Sequence, residues 1–302
     1  MRVAFFCAGG ELGLRPLEAV AEHHELVAVV RPAPGGSVVR RALRHTARAA
    51  GFRRDPIRDW TRRREVASLV ARSGDDPALI AAVRNLEPDL ICISTFPWLL
   101  GSALLEIPRC GTLNVHPSLL PRHRGPNPFF WTYYHGDRAT GVTVHQANAR
   151  GDAGSILLQE PFQLPRGQSV DRLHTQCAQL GATLLREALG SLERLSNAAT
   201  VQDESLATSA PRVKPGVAMV DYARWDVEQV WHFLTGLYPQ HREPLRLDGR
   251  HIFYRSILGF ERIESGGSDW GSVERTSTGW KLCCRGGYVL LASRRASSAE
   301  RG

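Results

Sequence analysis

The sequence lacks several features that would place the protein outside the cytoplasm or around a metal. None of its six cysteines is spaced C-x-x-C, and no apolar run is long enough to cross a bilayer. The apolar start of the chain is interrupted at Gly9 and Gly10, too early for a signal peptide. Cys283 and Cys284 are adjacent in a strand-like run and would point to opposite faces. These features predict reduced thiols, no metal site, no membrane association and a cytoplasmic location.

Lysine is almost absent, because only two of the 38 basic residues, Lys214 and Lys281, are lysines. The net charge of +8 leaves two interpretations open, contact with nucleic acid or a solvated arginine-rich surface, and the sequence favours the second. Arginines are concentrated in one segment, where a predicted helix over 38–50 would carry several of them on one side. The arginines of this segment are Arg40, Arg41, Arg44, Arg48, Arg53, Arg54, Arg58, Arg62, Arg63 and Arg64.

Hydrophobic patterning predicts an α/β fold for the first part of the chain. A buried strand over 2–8, a helix opened by the following glycines and a strand over 25–30 form a Rossmann-like β-α-β start. A dinucleotide site is the obvious alternative. The glycines do not form G-x-G-x-x-G, however, and the second strand ends at Arg31, where an NAD site uses Asp or Glu. An apolar strand over 89–95 and a long helix over 169–195 predict a mostly parallel sheet covered on both faces.

The last third of the chain has a different pattern and predicts a second, smaller domain. An Asp-Gly pair at 248–249 predicts a hairpin, and short strands are expected over 271–275, 279–284 and 288–292. Together these strands predict a small, OB-like β-barrel. The predicted organisation is a catalytic domain, a linker, the C-terminal β domain and a disordered tail, over residues 1–200, 201–216, 217–293 and 294–302.

Three polar side chains at or just past strand ends carry the predicted chemistry. Asn114 and His116 lie at the end of a predicted strand over 112–115, and Asp152 follows a predicted strand over 141–147. Because open α/β sheets bind ligands at the carboxyl ends of strands, we expect the three to meet there. An amide can donate to an oxyanion, an imidazole can accept and return a proton, and a carboxylate can orient the ring. With no cysteine in the stretch, the set suits acyl transfer by direct attack of an amine.

The order of motifs over 114–154 resembles that of the folate-dependent formyltransferases. The motifs are Asn-x-His-Pro-Ser-Leu-Leu-Pro from Asn114, Arg-Gly from Arg124, Gly-Val-Thr-Val-His from Gly141 and Asp-x-Gly from Asp152. The resemblance is good over residues 1–163 and looser beyond them. It implies transfer of a formyl group from 10-formyltetrahydrofolate to a primary amine, with Asn114, His116 and Asp152 as the catalytic residues.

The same resemblance implies contacts to both substrates. The residues implied around the pterin ring of the folate are Phe96, Pro97, Trp98, Leu99, Arg150, Gly151 and Asp152. Those implied around the acceptor are Gly9, Gly10, Ser118, Leu119, Arg124 and His145. Two alternatives stay open at this point: Trp98 and Leu99 pack the core instead, and His145, which shares a strand face with Thr143, has a structural role.

The resemblance leaves the acceptor open between two classes. A small amine, such as an amino sugar, is slightly favoured by His145 and by the lack of the glycine- and lysine-rich insertion that tRNA-specific members carry. Methionyl-tRNA is favoured by the predicted second domain and the basic charge. A non-catalytic RNA-binding module is a third hypothesis, against which the intact catalytic set argues. The sequence gives no prediction of the oligomeric state.

Overall fold

The computed structural model of the chain describes residues 1–34, 55–263 and 269–293. Within these ranges the helices are α1 Glu11–Ala21, α2 Pro56–Arg63, α3 Pro77–Asn85, α4 Ser102–Leu105, α5 Pro128–Tyr134, α6 Val170–Gly190, α7 Leu192–Asn197 and α8 Val227–Leu237. The strands are β1 Arg2–Cys7, β2 Glu25–Pro32, β3 Ser68–Ala71, β4 Leu90–Ser94, β5 Thr112–His116, β6 Ala139–Gln146, β7 Ile156–Gln163, β8 Arg246–Leu247, β9 Arg250–His251, β10 Ser256–Arg262, β11 Val273–Arg275, β12 Gly279–Cys284 and β13 Gly287–Ala292.

The chain divides into two compact units. The first unit consists of Met1–Pro128, Thr140–Phe162 and His174–Ala210. The second unit consists of Phe129–Ala139, Gln163–Leu173 and Pro211–Gly302. The domain boundaries expected at residues 200 and 216 stay a prediction.

A mostly parallel sheet organises the first unit. Within the described residues it has seven strands, in the order β3-β2-β1-β4-β5-β6-β7. Neighbours from β3 to β5 are parallel, and β6 runs antiparallel to β5. The chain passes outward from β1 to β2 and β3, then returns to β4 on the other side of β1. This reversal makes a switch point between β1 and β4, so the Rossmann-like sheet predicted from the sequence is confirmed.

Helices cover both faces of this sheet, which explains its nearly continuous apolar strands. Residues 3–7 of β1 are fully buried. On one face, side chains of β1, β2 and β4 form a cluster with Leu79 and Val83 of α3. On the other face α6 approaches closely, because a Cβ built on Gly181 would lie 2.8 Å from a methyl group of Val115. A larger residue at 181 would therefore push the helix away from the sheet.

Antiparallel strands characterise the second unit. Among the described residues, four strands form a sheet in the order β10-β13-β12-β11, and β8 pairs with β9. Asp248 and Gly249 connect β8 to β9 with φ values of 50° and 74°, so the predicted Asp-Gly hairpin is confirmed. Asp226 caps α8 by accepting a hydrogen bond from the backbone of Gln229 at 2.8 Å. These strands are consistent with the small, barrel-like domain predicted from the sequence.

Three elements are absent from the sequence-based prediction, namely α2, β3 and β10. The apolar face of α2 consists of Ile57 and Trp60, and its other residues are mostly charged, so the helix has a weak hydrophobic signal. Strands β3 and β10 lie at sheet edges and expose several of their residues, which weakens their apolar pattern in the same way. The predicted helix over 38–50 and the predicted tail over 294–302 lie outside the described residues.

In the part of the chain that the structure describes, no helix combines the length and apolar character needed to span a membrane. The cytoplasmic location expected from the sequence stays a prediction.

Candidate active site

Polar side chains share one face of the sheet where β5 meets β6. Asn114 and His116 alternate along β5 and so point to the same side. The antiparallel register places His145 of β6 opposite Asn114, and Thr143 opposite His116. Directly opposed residues on one face are close enough for side-chain contact. The register therefore adds a second imidazole to the pair predicted on β5.

Asp152 reaches this face from the loop after β6. The loop turns at Gly151, whose φ of 79° lies in the left-handed region. Asp152 Oδ1 accepts a hydrogen bond from Asn114 Nδ2 at 3.1 Å, and Oδ2 accepts one from the backbone N–H of Gly125 at 2.8 Å. The same Oδ1 lies 3.7 Å from His116 Nδ1. The structure thus brings together the three residues that the sequence singles out.

The ring of His116 is almost fully buried, and its two nitrogens have different partners. Nε2 donates to the backbone carbonyl of His123 at 3.0 Å, so the neutral ring carries its proton on Nε2. Nδ1 faces the Asp152 carboxylate at 3.7 Å, which is too long for a hydrogen bond. Nδ1 is therefore the nitrogen that can take up a proton, and the carboxylate would stabilise the resulting cation.

The ring of His145 is fully buried and holds the amide of Asn114. Burial lowers the pKa of His145 to about 4, although Asp152 acts in the opposite direction, so the ring is neutral at pH 7. Nδ1 donates to the carbonyl of Gln146 at 2.9 Å, which leaves Nε2 to accept from Asn114 Nδ2 at 3.1 Å. Both amide protons of Asn114 are thus engaged, one by His145 and one by Asp152. The contact of His145 with the acceptor stays a prediction.

A buried network that the sequence did not indicate supports the loop after β5. Thr143 Oγ1 donates to the carbonyl of Ser118 at 2.7 Å and accepts from Gln159 Nε2 at 2.8 Å. Gln159 also donates to the carbonyl of Leu120 at 2.9 Å. The Ser118 side chain is fully buried, and its hydroxyl donates to the carbonyl of Arg122 at 2.8 Å. Polar residues inside strands and turns are common, so nothing in the sequence marks these as a network.

Gln202 and Arg124 join the loop after β5 to the loop after β6. Gln202 Nε2 donates to the carbonyls of Asp152 at 2.8 Å and Gly154 at 2.7 Å. Gln202 Oε1 accepts from Nε and a terminal nitrogen of Arg124 at 3.0 and 2.8 Å. Arg124 also pairs with Glu204 at 2.8 Å. The guanidinium of Arg124 is therefore used within the chain, and its contact with the acceptor stays a prediction.

The two loops expected to enclose a pterin ring lie side by side. A Cβ built on Gly151 would lie 3.5 Å from a methyl group of Leu99, and the Leu99 side chain is 62% exposed. Trp98 is half-buried. Phe96 packs edge-on against Phe6 of β1, with the ring centroids 5.3 Å apart. Leu99 therefore offers an apolar surface to a ligand, whereas Phe96 is tied to the core.

The other residues implied as contacts lie at loop positions. Pro97 and Leu119 are half-buried, and Arg150 is exposed in the turn next to Gly151. Gly9 and Gly10 follow β1 with φ values of 132° and 72°, immediately before α1 begins. Their contacts with substrate stay predictions.

A cysteine nucleophile and a bound metal ion are two alternative chemistries for the same edge of the sheet. Burial raises the pKa of the Cys7 thiol, at the end of β1, to about 12, so it is protonated and a poor nucleophile at pH 7. Among the described residues, no group of three or more His, Cys, Asp and Glu side chains could hold a metal ion. The expectation that no metal takes part stays a prediction.

Comparison with known proteins identifies the family. Residues 1–189, more than half of the chain, match the family model described as formyl transferase. The chain belongs to the formyl transferase family. The resemblance drawn from the motifs over 114–154 is confirmed, and the protein is an enzyme that transfers formyl groups. The hypothesis of a non-catalytic RNA-binding module is therefore not carried further.

Individual members of known function and structure are similar to this formyltransferase. The methionyl-tRNA formyltransferase of Citrifermentans bemidjiense is 37% identical over 225 residues, which cover 74% of this chain and 70% of the relative. The N-formyltransferase of Helicobacter canadensis, in complex with folinic acid and dTDP-3-aminofucose, matches with a TM-score of 0.63 and 13% identity over 96% of this chain and 98% of that one. HypX of Aquifex aeolicus, in complex with tetrahydrofolic acid, matches with a TM-score of 0.59 and 19% identity over 96% of this chain and 43% of HypX. At these identities the two structures establish a common fold alone.

Proposed function

We propose that this formyltransferase moves a formyl group from 10-formyltetrahydrofolate to a primary amine by direct attack of the amine on the formyl carbon. The observation that carries the proposal is the cluster of Asn114, His116 and Asp152 at the carboxyl end of β5. An amide donor, a proton acceptor and a carboxylate around one point are the groups that acyl transfer needs. No covalent intermediate with the protein is required.

In the proposed reaction, the amine nitrogen forms a bond to the formyl carbon, and the carbonyl π electrons move onto oxygen. As this bond forms, the nitrogen loses a proton to Nδ1 of His116. The bond between the formyl carbon and N10 of the folate breaks as His116 returns the proton to N10, and the carbonyl re-forms. The products are a formamide and tetrahydrofolate. A single preorganised donor to the oxyanion lowers the activation free energy by roughly 3–4 kcal/mol.

Asn114 can serve as that donor if one of its two hydrogen bonds breaks and the freed N–H turns to the oxyanion. The bond to Asp152 is the one that can break. When Nδ1 of His116 takes up a proton, the ring becomes a cation beside the Asp152 carboxylate. In the structure, His116 Nδ1 and Asp152 Oδ1 are 3.7 Å apart. A charge-assisted hydrogen bond to this cation is stronger than the bond to a neutral amide. The freed N–H of Asn114 then donates to the oxyanion, while His145 keeps the other N–H in place.

The folate is proposed to bind between the loop over 96–99 and the loop around Gly151. Support comes from the closeness of Leu99 to Gly151 and from the exposure of Leu99. A pterin ring is flat with a polar edge, so an apolar side chain on its face and backbone groups at its edge suit it. The family of the chain and the tetrahydrofolic acid bound by HypX agree with a folate as the formyl donor.

The first acceptor to test is the amino group of methionyl-tRNA. The relative from Citrifermentans bemidjiense carries that activity in its name, at 37% identity over 70% of its length. The small amine that the sequence slightly favoured is not favoured by this comparison. The net charge of +8 also suits a polyanionic acceptor.

A small amine, such as an amino sugar linked to a nucleotide, is the second candidate. The resemblance to the formyltransferases links a histidine at position 145 to small amine acceptors. The Helicobacter canadensis N-formyltransferase was solved with dTDP-3-aminofucose. Binding of tRNA across a salt titration separates the two acceptors. A steep fall of affinity with salt supports nucleic acid, whereas weak binding with a flat salt dependence leaves the small amine.

The decisive experiment is a formyl-transfer assay with 10-formyltetrahydrofolate against charged tRNA and a panel of amino sugars and other amines. We expect transfer to one of these classes, and a loss of about a hundredfold or more in Asn114→Ala and in His116→Ala with the fold intact. Asn197→Ala and His23→Ala, at exposed positions, are the matched controls and should retain full activity. Wild-type protein that transfers to no acceptor, or full activity in both site variants, would reject the proposal.

A further inference from the structure

We propose that Gln202 is a positioning residue that holds Asp152 against His116 during formyl transfer. The inference rests on the proposed function and adds a residue to its site. The sequence places Gln202 in a linker, where a glutamine is expected to be solvated. Its side chain is instead almost fully buried, and both polar ends of its amide have partners.

The amide nitrogen of Gln202 fixes the backbone on both sides of residue 153. Its two protons go to the carbonyls of Asp152 at 2.8 Å and Gly154 at 2.7 Å. The backbone at Gly154 lies close to that of Gln146, since a Cβ built there would lie 1.7 Å from the carbonyl oxygen of Gln146. Removing the amide would leave two backbone acceptors without their donor, and the position of Asp152 would no longer be fixed from this side.

The amide oxygen of Gln202 fixes the opposite loop. It accepts from two nitrogens of Arg124 at 3.0 and 2.8 Å. The next residue, Gly125, donates its backbone N–H to Asp152 Oδ2 at 2.8 Å. The contacts run from Gln202 through Arg124 and Gly125 to the Asp152 carboxylate, and from there through the Asp152 backbone to Gln202. This closed ring holds both the backbone and the carboxylate of Asp152.

The segment that carries Gln202, residues 200–210, is also bonded to the loop that contacts His116. The backbone N–H of Arg124 donates to the carbonyl of Thr208 at 2.9 Å, and that of His123 donates to Thr208 Oγ1 at 2.8 Å. His123 is the residue whose carbonyl accepts from His116 Nε2. The segment therefore fastens both partners of the His116 ring, one at each nitrogen.

The distance between His116 and Asp152 explains why these hydrogen bonds should affect the rate. The 3.7 Å between His116 Nδ1 and Asp152 Oδ1 must shorten when the ring takes up a proton. A displacement of about 1 Å in a catalytic arrangement can cost about a hundredfold in rate. A carboxylate released from Gln202 would remain in the site but spend less time at the distance that the reaction needs.

The test uses Gln202→Leu and Gln202→Glu in the full-length enzyme, with the acceptor found by the transfer assay. Leucine keeps the volume and loses every hydrogen bond, whereas glutamate keeps the acceptor for Arg124 but opposes the two carbonyls. We expect both variants to lower kcat by about tenfold to a hundredfold, with KM for donor and acceptor within about twofold of wild type. Glu204→Gln, which removes the negative charge of the exposed second partner of Arg124, should leave kcat unchanged.

A double-variant cycle distinguishes positioning from a general structural role. If Gln202 acts through Asp152, then adding Gln202→Leu to Asp152→Asn should cause no further loss of kcat. An additive loss would overturn the inference, as would unchanged kcat in both Gln202 variants.

Amide hydrogen exchange at Gly125 provides a readout that does not depend on the acceptor. We expect faster exchange in Gln202→Leu and Gln202→Glu, and wild-type exchange in Glu204→Gln. Unchanged exchange at Gly125 in the Gln202 variants would overturn the inference. Wild-type protein that is inactive on every acceptor would instead reject the proposed function, so the two failures are distinguishable.

Discussion

Two carboxylates in this protein each lie beside histidines, yet their surroundings differ. In the second unit, the side chain of Glu243 is 1% exposed and lies 3.3 Å from His241 Nε2. It also accepts hydrogen bonds from the backbone N–H groups of Met219 at 2.9 Å and Val220 at 3.1 Å. In the first unit, the Asp152 side chain is 15% exposed, and the nearest nitrogens of its two histidines both lie 3.7 Å away.

The difference separates a carboxylate that holds the fold from one that can take part in a reaction. The hydrogen-bonding capacity of Glu243 is used within the second unit, so it fixes the segment around Met219 and has little to offer a substrate. Asp152 is held by Asn114 and Gly125 but keeps capacity on the side of His116, where a proton is expected to arrive. A carboxylate that can still accept a hydrogen bond from a neighbouring titratable group is the better catalytic candidate, whether or not it is buried.

The largest effect is expected from exchanging each carboxylate for its amide. Asp152→Asn should lower kcat by about a hundredfold or more, because an amide cannot stabilise the cation at His116. Its free energy of unfolding should fall less than that of Glu243→Gln, because the remaining oxygen can still accept from the backbone of Gly125 and only the Asn114 amide faces the new nitrogen. Glu243→Gln should do the opposite, with kcat unchanged and a loss of about 1–3 kcal/mol in the free energy of unfolding, because an amide nitrogen would face backbone donors. Steady-state kinetics and urea unfolding of both variants measure the contrast.

The comparison fails if the two variants behave alike. Loss of stability without loss of rate in Asp152→Asn would make that carboxylate structural, as Glu243 is. Loss of rate at full stability in Glu243→Gln would show that satisfied hydrogen bonds do not identify a structural carboxylate.

A smaller effect is expected from the histidines next to these carboxylates. His145→Leu removes the acceptor that holds one N–H of Asn114, so the amide can rotate and kcat should fall by about tenfold. His241→Leu, the matched change beside Glu243, should leave kcat unchanged and lower stability. Transfer kinetics with both variants check the difference. Equal activity of His145→Leu and wild type would show that the amide of Asn114 does not need this partner.

Buried histidines in both units predict that stability falls in acid. Burial lowers the pKa of His145 and of His232 to about 4, from an ordinary value of 6.5. Between these values the unfolded chain binds more protons than the folded protein, so the free energy of unfolding decreases as the pH is lowered from 6.5 towards 4. The slope should approach about 1.4 kcal/mol per pH unit for each histidine. Urea unfolding between pH 7 and about 4.5 measures it.

His232→Asn is the control for this pH dependence. The side-chain oxygen of asparagine can replace Nδ1 as the acceptor for the backbone N–H of Gly167, which lies 3.0 Å away, but it does not titrate. The variant should therefore lose less stability between pH 6.5 and 4 than wild type. An identical pH dependence in wild type and His232→Asn would show that His232 does not contribute to acid sensitivity.

The residues proposed for the chemistry were open to prediction, whereas those that support them were not. Asn114 and His116 alternate at the end of an apolar strand, and Asp152 follows another, so local patterning indicates all three. The contact between Asn114 and His145 depends on the antiparallel register of β6, which no local pattern sets. Gln202 meets the Asp152 loop across 50 residues of chain, from a segment without hydrophobic periodicity. Contacts of that kind belong to the tertiary structure.

The smallest effect is expected from a methyl group added at either of two left-handed glycines. Gly151 and Gly249 have φ values of 79° and 74°, so alanine at either should cost about 1–2 kcal/mol of stability. Only the methyl group at 151 would meet Leu99, at 3.5 Å, whereas one at 249 would meet no described atom within 4 Å. Gly151→Ala should therefore raise KM for the folate a few-fold with kcat little changed, and Gly249→Ala should change neither. An unchanged KM in Gly151→Ala would argue against folate binding between these loops.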